Sequence, residues 1–358
     1  MRLGVVVRRP GAYAVYWLPV TGMIKSAFLM LALCGVLPGQ RKAGSPLENL
    51  PANMEVLTQF GERADISPDN QRVAFMSGSF GHAFVIDLKT RAIRCLTCSI
   101  PGAAFLRVMH LSNGDYLLIG PERFKDLRTS RHEDNELWYL SQKPNSKPVR
   151  LNQKMSEGAA VSKVSRKISY SETSSQNPEL PKGASRLIVA DLDPAGPRLT
   201  SKTVVYESND NGCTIEAQDF FDGDRKMTFT CYEPKGLASV MTIDLQSKEV
   251  VNQSKAPGTY NEVEGIFPDG KYTCVEADRQ VQTLGGGVGF RQIDIWKLRL
   301  DGTGKDFTRV TRFNDYEGWK ASNPVVSTDG RFMAFQVAQA KDEAGVGYGI
   351  VLLWLDRN

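Results

Sequence analysis

DISPDNQRVAFMS (residues 65–77) reads as an apolar strand end, a tight polar turn and a second strand of alternating apolar residues. The phrase returns as HLSNGDYLLIG (110–120), GIFPDGKYTCVE (265–276) and VVSTDGRFMAFQ (325–336). Two worn copies, SKVSRKISYSE (162–172) and DFFDGDRKMTFT (219–230), lie between them. Asp69-Asn70, Asn113-Gly114, Asp269-Gly270 and Asp329-Gly330 supply the turns, because Asn and Gly tolerate the positive φ that a two-residue hairpin needs. A recurrence of one unit at intervals of about fifty residues marks a repeat architecture.

Each hairpin is followed by further strand material. Third strands are expected in AFVIDLKT (83–90), RLIVADLD (186–193), VMTIDLQS (240–247) and IDIWKLRLDG (293–302). Short outer strands are expected in AIRCLT (92–97), KPVRLN (147–152), KTVVYES (202–208) and TRVTRF (309–313 with its lead-in Thr308). Four antiparallel strands per unit, each unit too small to bury both faces alone, make a propeller blade. The expected fold is therefore all-β, a six-bladed β-propeller. The last unit, ending GIVLLWLDRN, has no outer strand of its own, and MEVLTQF (54–60) is surplus at the other end. Placed on the last blade, 54–60 closes the ring and removes an open sheet edge.

The formal charge is +4, but residues 1–43 carry Arg2, Arg8, Arg9, Lys25, Arg41 and Lys42 and no acid, which leaves −2 for residues 44–358. No basic run with interleaved aromatics is present, so a nucleic-acid partner is not expected. SAFLMLALCGVL (26–37), after Lys25 and before Pro38-Gly39, has the length of a signal-peptide core and is too short to span a bilayer comfortably. Residues 1–43 thus read as an export leader, with Met23 as a natural start and cleavage expected within 34–45. Read from Met1, the stretch 11–37 would be an interrupted membrane anchor instead. The mature chain, 44–358, is expected to be a secreted or periplasmic monomer without a membrane span.

Five cysteines lie outside the leader, so at least one is unpaired. Cys95-Leu-Thr-Cys98 ends an outer strand rather than opening a helix, which points to a structural role. There is no second CxxC or histidine pair for zinc and no G-x-S-x-G nucleophile turn. LGGGVGF (284–290) lacks the spacing of a dinucleotide loop. No cofactor and no metal are expected.

Polar residues on the inner strands are the remaining candidates. Aligned on the turn, the six copies place Asp65, His110, Lys163, Asp219, Gly265 and Val325 in one column facing the central channel. The neighbouring column adds Gln218 and Glu264, with Glu262 on the same face as Glu264. The densest polar patch spans YNEVEGIFPDG (260–270), CVEADRQ (274–280) and RFNDYEGWKASNPVVSTDG (312–330). It offers Glu264, Asp278, Arg279, Asp315, Tyr316, Lys320 and Asn323 as ligand-binding groups, with His110, Asp219 and Asp65 from the channel column. Arg279 is the expected anchor for an anionic or carbonyl group, because its planar fork donates two parallel bonds. Such mixed aromatic, amide and charged chemistry suits a polar protein segment or a carbohydrate. These groups equally suit a wet channel lining and salt bridges between blades.

The SPDN, FPDG and STDG turns, each followed by an alternating strand, resemble the WD40-like repeats of TolB-type propellers. The resemblance is carried best by 64–97, 262–313 and 321–355. It implies a six-bladed ring and a group that includes periplasmic binding scaffolds and, more distantly, propeller lyases acting on oligogalacturonate. The lyase sites use a histidine cluster holding a metal; only His82, His110 and His132 exist here, and none are neighbours in sequence. The reading is an exported binding scaffold. The alternative is a metal-assisted lyase or hydrolase acting on acidic oligosaccharides, with His110, Asp65, Asp219 and Glu264 around the channel.

Overall fold

The computed structural model describes residues 40–209, 212–256, 259–287, 289–342 and 345–357, so the expected leader, except its last four residues, lies outside the described part. The described chain forms six four-stranded antiparallel sheets. Blade 1 runs through Glu62–Ile66, Arg72–Met76, Ala83–Asp87 and Ile93–Cys95 from inside to outside, and blade 2 through Arg107–His110, Tyr116–Pro121, Asn135–Leu140 and Val149–Lys154. Blade 3 holds Ala159–Val161, Lys167–Thr173, Ser185–Asp193 and Arg198–Ser208; blade 4 holds Thr214–Phe221, Lys226–Glu233, Leu237–Asp244 and Val250–Asn252. Blade 5 is Asn261–Ile266, Tyr272–Ala277, Asp294–Arg299 and Phe307–Arg309. Blade 6 takes Trp319–Val326, Phe332–Gln339 and Ile350–Trp354 from the end of the chain, and its outer strand, Met54–Thr58, from the beginning.

The closing strand pairs antiparallel with register Met54↔Leu353, Glu55↔Leu352, Val56↔Val351 and Thr58↔Ile350. The ring is closed as expected. Its docking starts earlier than residue 44: Lys42 N–H donates to Asp315 O at 2.7 Å, and Arg41 donates to Gly285 O, Gln292 Oε1 and Asn314.

Period-two alternation has a specific meaning here. In the second strand of blade 1, Ala74 and Met76 pack with Val108, Tyr116 and Leu118 of blade 2. Val73 and Phe75 pack with Phe332, Ala334 and Ile350 of blade 6. Both sets are apolar because each blade is sandwiched between two others, and six apolar clusters fill the blade-to-blade seams.

The turns differ from the two-residue hairpins expected. The N–H of Asn70, Gly114, Gly270 and Gly330 reaches back to the carbonyl of Ser67, Leu111, Phe267 and Ser327 at 2.9 Å. Only these residues, and not the Asp or Asn before them, have positive φ, between 58° and 84°. Each is a type I turn closed by a left-handed residue. The preceding acid acts through its side chain: Asp69, Asp269 and Asp329 accept the N–H of Gln71, Lys271 and Arg331. Two strand limits also shift. The outer strand of blade 5 is Phe307–Arg309, and residues 310–313 leave it for a 3-10 turn at Phe313–Asp315. The outer strand of blade 2 lies at Val149–Lys154 rather than 147–152. Disulfides join Cys95 to Cys98 and Cys213 to Cys231, and Cys274 is free and buried.

Candidate functional site: the central channel

Four of the six inner strands break register at one level, between Glu62 and Asp65, Ala217 and Asp219, Val263 and Ile266, and Ser322 and Val325. A bulge turns an extra side chain out of the ladder and re-aims it. Here the re-aimed residues Arg63, Gln218, Glu264 and Asn323 all line the channel. Arg63 and Asn323 adopt left-handed backbone, φ 52° and 48°. Gly265 follows its bulge without a side chain because a Cβ there would lie 2.8 Å from Val325 Cα in the next blade.

Where the inner strands begin, the channel opens into a cavity of about 540 Å³. Glu157, ahead of the blade 3 inner strand, pairs with Arg63 at 3.0 Å and makes a two-point contact with Arg131 of the helix Leu127–His132. Burial pushes the Glu157 carboxyl up, but the Arg131 and Arg63 guanidiniums outweigh it and hold it well below the usual range. The Tyr232 hydroxyl lies 2.8 Å from Glu216 Oε2 and 2.5 Å from Glu262 Oε1, and the Tyr260 hydroxyl bonds the other Glu262 oxygen. Tyr232 has one proton to donate, so one of its two carboxyl partners must itself be protonated. Burial agrees: it pushes Glu216 and Glu262 up to about 7, with neighbouring carboxylates adding to the effect.

Asn323 ties two more carboxyls together, donating Nδ2–H to Glu264 Oε1 at 3.1 Å and its backbone N–H to Glu276 Oε1 at 2.5 Å. Burial raises both. Lys320 lines the same cavity and donates to Phe290 O at 3.1 Å. Burial lowers its pKa. The mouth can therefore donate, accept and share protons within one concave surface.

Towards the hairpin turns the channel narrows to about 30 Å³ between Arg63, Asp65, Arg107, Glu264 and Asn323, then widens to about 240 Å³. Three members of the sequence column meet here. Asp65 Oδ2 accepts from His110 N–H at 2.6 Å and lies 2.9 Å from His110 Nδ1, while Lys163 Nζ donates to Asp65 Oδ1 at 2.8 Å and to His110 O at 3.2 Å. Asp219 accepts from Ile266 N–H at 3.0 Å, and burial pushes its carboxyl up to about 7.

The sequence candidates thus fall into three places. Glu264, Lys320 and Asn323 lie at the mouth or the neck below it. Asp65 and Asp219 line the turn-side cavity, and His110, wholly buried, lines neither. Asp278, Arg279, Asp315 and Tyr316 lie outside these cavities. Asp278 accepts the N–H groups of Tyr260 and Gly289, Arg279 stacks on the Phe307 ring at 3.9 Å, and Asp315 pairs with Arg309 at 2.7 Å. Tyr316 sits against Lys42 at 5.3 Å. Arg63, Arg107, Arg131, Glu157, Glu216, Tyr232 and Glu276 were not singled out in the sequence. Only the polar positions upstream of each turn could have signalled the inner-strand members.

Glu262, Glu264 and Glu276 bring carboxylate oxygens within 4.8 Å of one another, a spacing that could take a cation. Cys95 and Cys98 group with His82, but their sulfurs are spent in a disulfide. Among the described residues no such group contains two histidines.

No protein-family model matches the chain, and no curated protein matches it. Solved structures match it in fold. It is similar to a putative TolB from Agrobacterium tumefaciens at 15% identity and TM-score 0.51, over 72% of this chain and 77% of that one. It is similar to a gluconolactonase from Xanthomonas campestris at 8% identity and TM-score 0.52, over 84% and 89% of the two chains. An oligogalacturonate lyase from Vibrio parahaemolyticus aligns at 9% identity over 86% and 93%, but its TM-score of 0.46 carries no argument. The likenesses to the TolB and gluconolactonase structures show the fold alone, a β-propeller, and leave function to the site.

Proposed function

We propose that the chain is an exported, monomeric binding scaffold that takes a polar partner, a protein segment or a carbohydrate, at the strand-start mouth of its channel. The observation that carries this reading is the 540 Å³ mouth cavity, where the buried Glu216, Glu262 and Glu276 share a wall with Lys320, Tyr232 and Tyr260. Buried donors and acceptors that converge on a cavity are the usual make-up of a site for a polar ligand. The lyase alternative gains no support from the histidines. His82 sits on Thr97, His110 is enclosed against Asp65, and His132 lines the mouth with no second histidine beside it among the described residues.

The test is capture from native extract and from a glycan panel by the intact protein and by Lys320→Gln, which loses the charge but keeps a donor for Phe290 O. Capture should fall about tenfold or more, the scale of one charge-assisted bond, with the melting temperature nearly unchanged. Arg279→Lys, at the Phe307 stack, should capture normally. Equal capture by the Lys320 variant would reject the mouth as the site, and turnover of uronate oligomers would reject the scaffold.

Export is the second part of the proposal. No helix among the described residues is long and apolar enough to cross a membrane. Because Arg41 and Lys42 are bonded into the folded body, cleavage is expected before Arg41, in the first part of the 34–45 window. Sequencing the N-terminus of the exported protein checks this; an intact leader on cytoplasmic protein would refute it.

A further inference from the structure

Arg107 is 8% exposed and begins the inner strand of blade 2, and its Nε has no hydrogen-bond partner. Among the described residues its guanidinium makes no ion pair, whereas Arg63 and Arg131 pair with Glu157 and Lys163 pairs with Asp65. Its field reaches Glu157, Glu216 and Glu264 without contact. Gln218, the bulge residue of blade 4, is 6% exposed and has an Nε2 with no acceptor. Both orphan donors line the turn-side cavity of about 240 Å³, whose walls include the apolar Met109, Val161 and Phe220. A buried charge is costly unless paired, and so is a buried amide donor without an acceptor. Two such groups facing one cavity mark the place of an absent acceptor.

We propose that this turn-side cavity binds a single carboxylate, seated on the Arg107 guanidinium and the Gln218 amide. A planar carboxylate matches the guanidinium fork, and one negative charge matches one uncompensated cation. A phosphate dianion fits poorly, because Asp65, Asp219 and Glu264 line the same cavity. Among the described residues no ion pair joins Glu264 to Arg107, and burial raises the Glu264 carboxyl well above the ordinary range. The site is separate from the mouth and does not depend on what the mouth binds. A sugar acid and the free end of a peptide chain both present this group.

Calorimetry on the intact protein with D-glucuronate, D-glucose, N-acetylalanine, its amide and inorganic phosphate separates these sources. Binding of glucuronate but not glucose would identify a sugar acid. Binding of N-acetylalanine but not its amide would identify a chain end, and either supports the proposal. Arg107→Met should weaken binding at least about tenfold without lowering the melting temperature, since it removes an unpaired buried charge. Gln218→Leu should weaken binding by a smaller factor, and it serves as the test if the Arg107 variant fails to fold. The proposal is overturned if neither acid binds, if phosphate binds more tightly than both, or if both variants bind as the wild type does.

Discussion

Removing residues 44–60 takes the outer strand from blade 6 and leaves Ile350–Trp354 as an open edge. The loss can be worked from named contacts. Beyond the four register pairs, Trp354 N–H donates to Asn53 O at 2.8 Å, Asn53 Nδ2 donates to Trp354 O at 3.2 Å, and Ile350 N–H donates to Thr58 Oγ1 at 3.1 Å. At about 1 kcal/mol net per bond these and the ladder come to several kcal/mol. Leu47, Leu50, Met54 and Leu57, half-buried against the seams on either side of blade 6, add about 1 kcal/mol each. The total, on the order of 10 kcal/mol, rivals the whole stability of an ordinary domain. The truncated chain should therefore be unfolded or aggregated by circular dichroism and size-exclusion chromatography. A graded version is Gly349→Ala. Gly349 has φ 125°, and a Cβ there would lie 2.2 Å from Thr58 O, so the alanine must push the closing strand aside. It should cost about 2–4 kcal/mol in denaturant melts. A truncated protein that melts at the wild-type temperature would refute closure by this strand as the source of the ring's stability.

Glu157→Gln should destabilise by about 3–5 kcal/mol, because it leaves Arg63 and Arg131 buried without their shared anion; a loss below about 1 kcal/mol would mean that solvent already screens the triad. Glu216, Glu262 and Asp219 titrate at about 7 when folded, against 4.5, 4.5 and 3.8 for the free groups. Each holds its proton more tightly in the folded state, so its favourable contribution is complete below about pH 4 and is lost as pH rises to about 7. Glu157 acts in the opposite sense, its contribution being present above about pH 4.5 and lost progressively below it. Thermal melts should thus be higher near pH 5 than near pH 7.5, and a flat profile would contradict the shared-proton wall.

The hairpins and blade count were legible because they are local: a Gly or Asn at the left-handed position and an acid before it leave a signature within six residues. Ring closure was legible as a missing strand at one end and a spare one at the other. The channel was only half legible. Counting back from each turn finds Asp65, His110, Lys163 and Asp219, which do meet or line the channel. The count then fails, because each bulge inserts one residue beyond that point and shifts which side chain faces inward. Arg63 and Glu216 were missed for that reason. Asp315 and Tyr316 lie away from the channel, where a charged, aromatic stretch joins a 3-10 turn to the arriving N-terminal segment.

Of the described strands the closing strand is made first, yet its partner is made last. Thr58 must wait for Ile350. A loop of that span carries a closure entropy of roughly 5 kcal/mol, which is recovered only when the final hairpin is present. Until then five blades can zip up in order, each on the edge of the one before, while both ends of the open arc offer unpaired strands to any passing chain. If the leader takes the chain across a membrane, the same wait keeps the ring from closing on the wrong side. The first strand out is the latch, and synthesis order becomes a timer for folding.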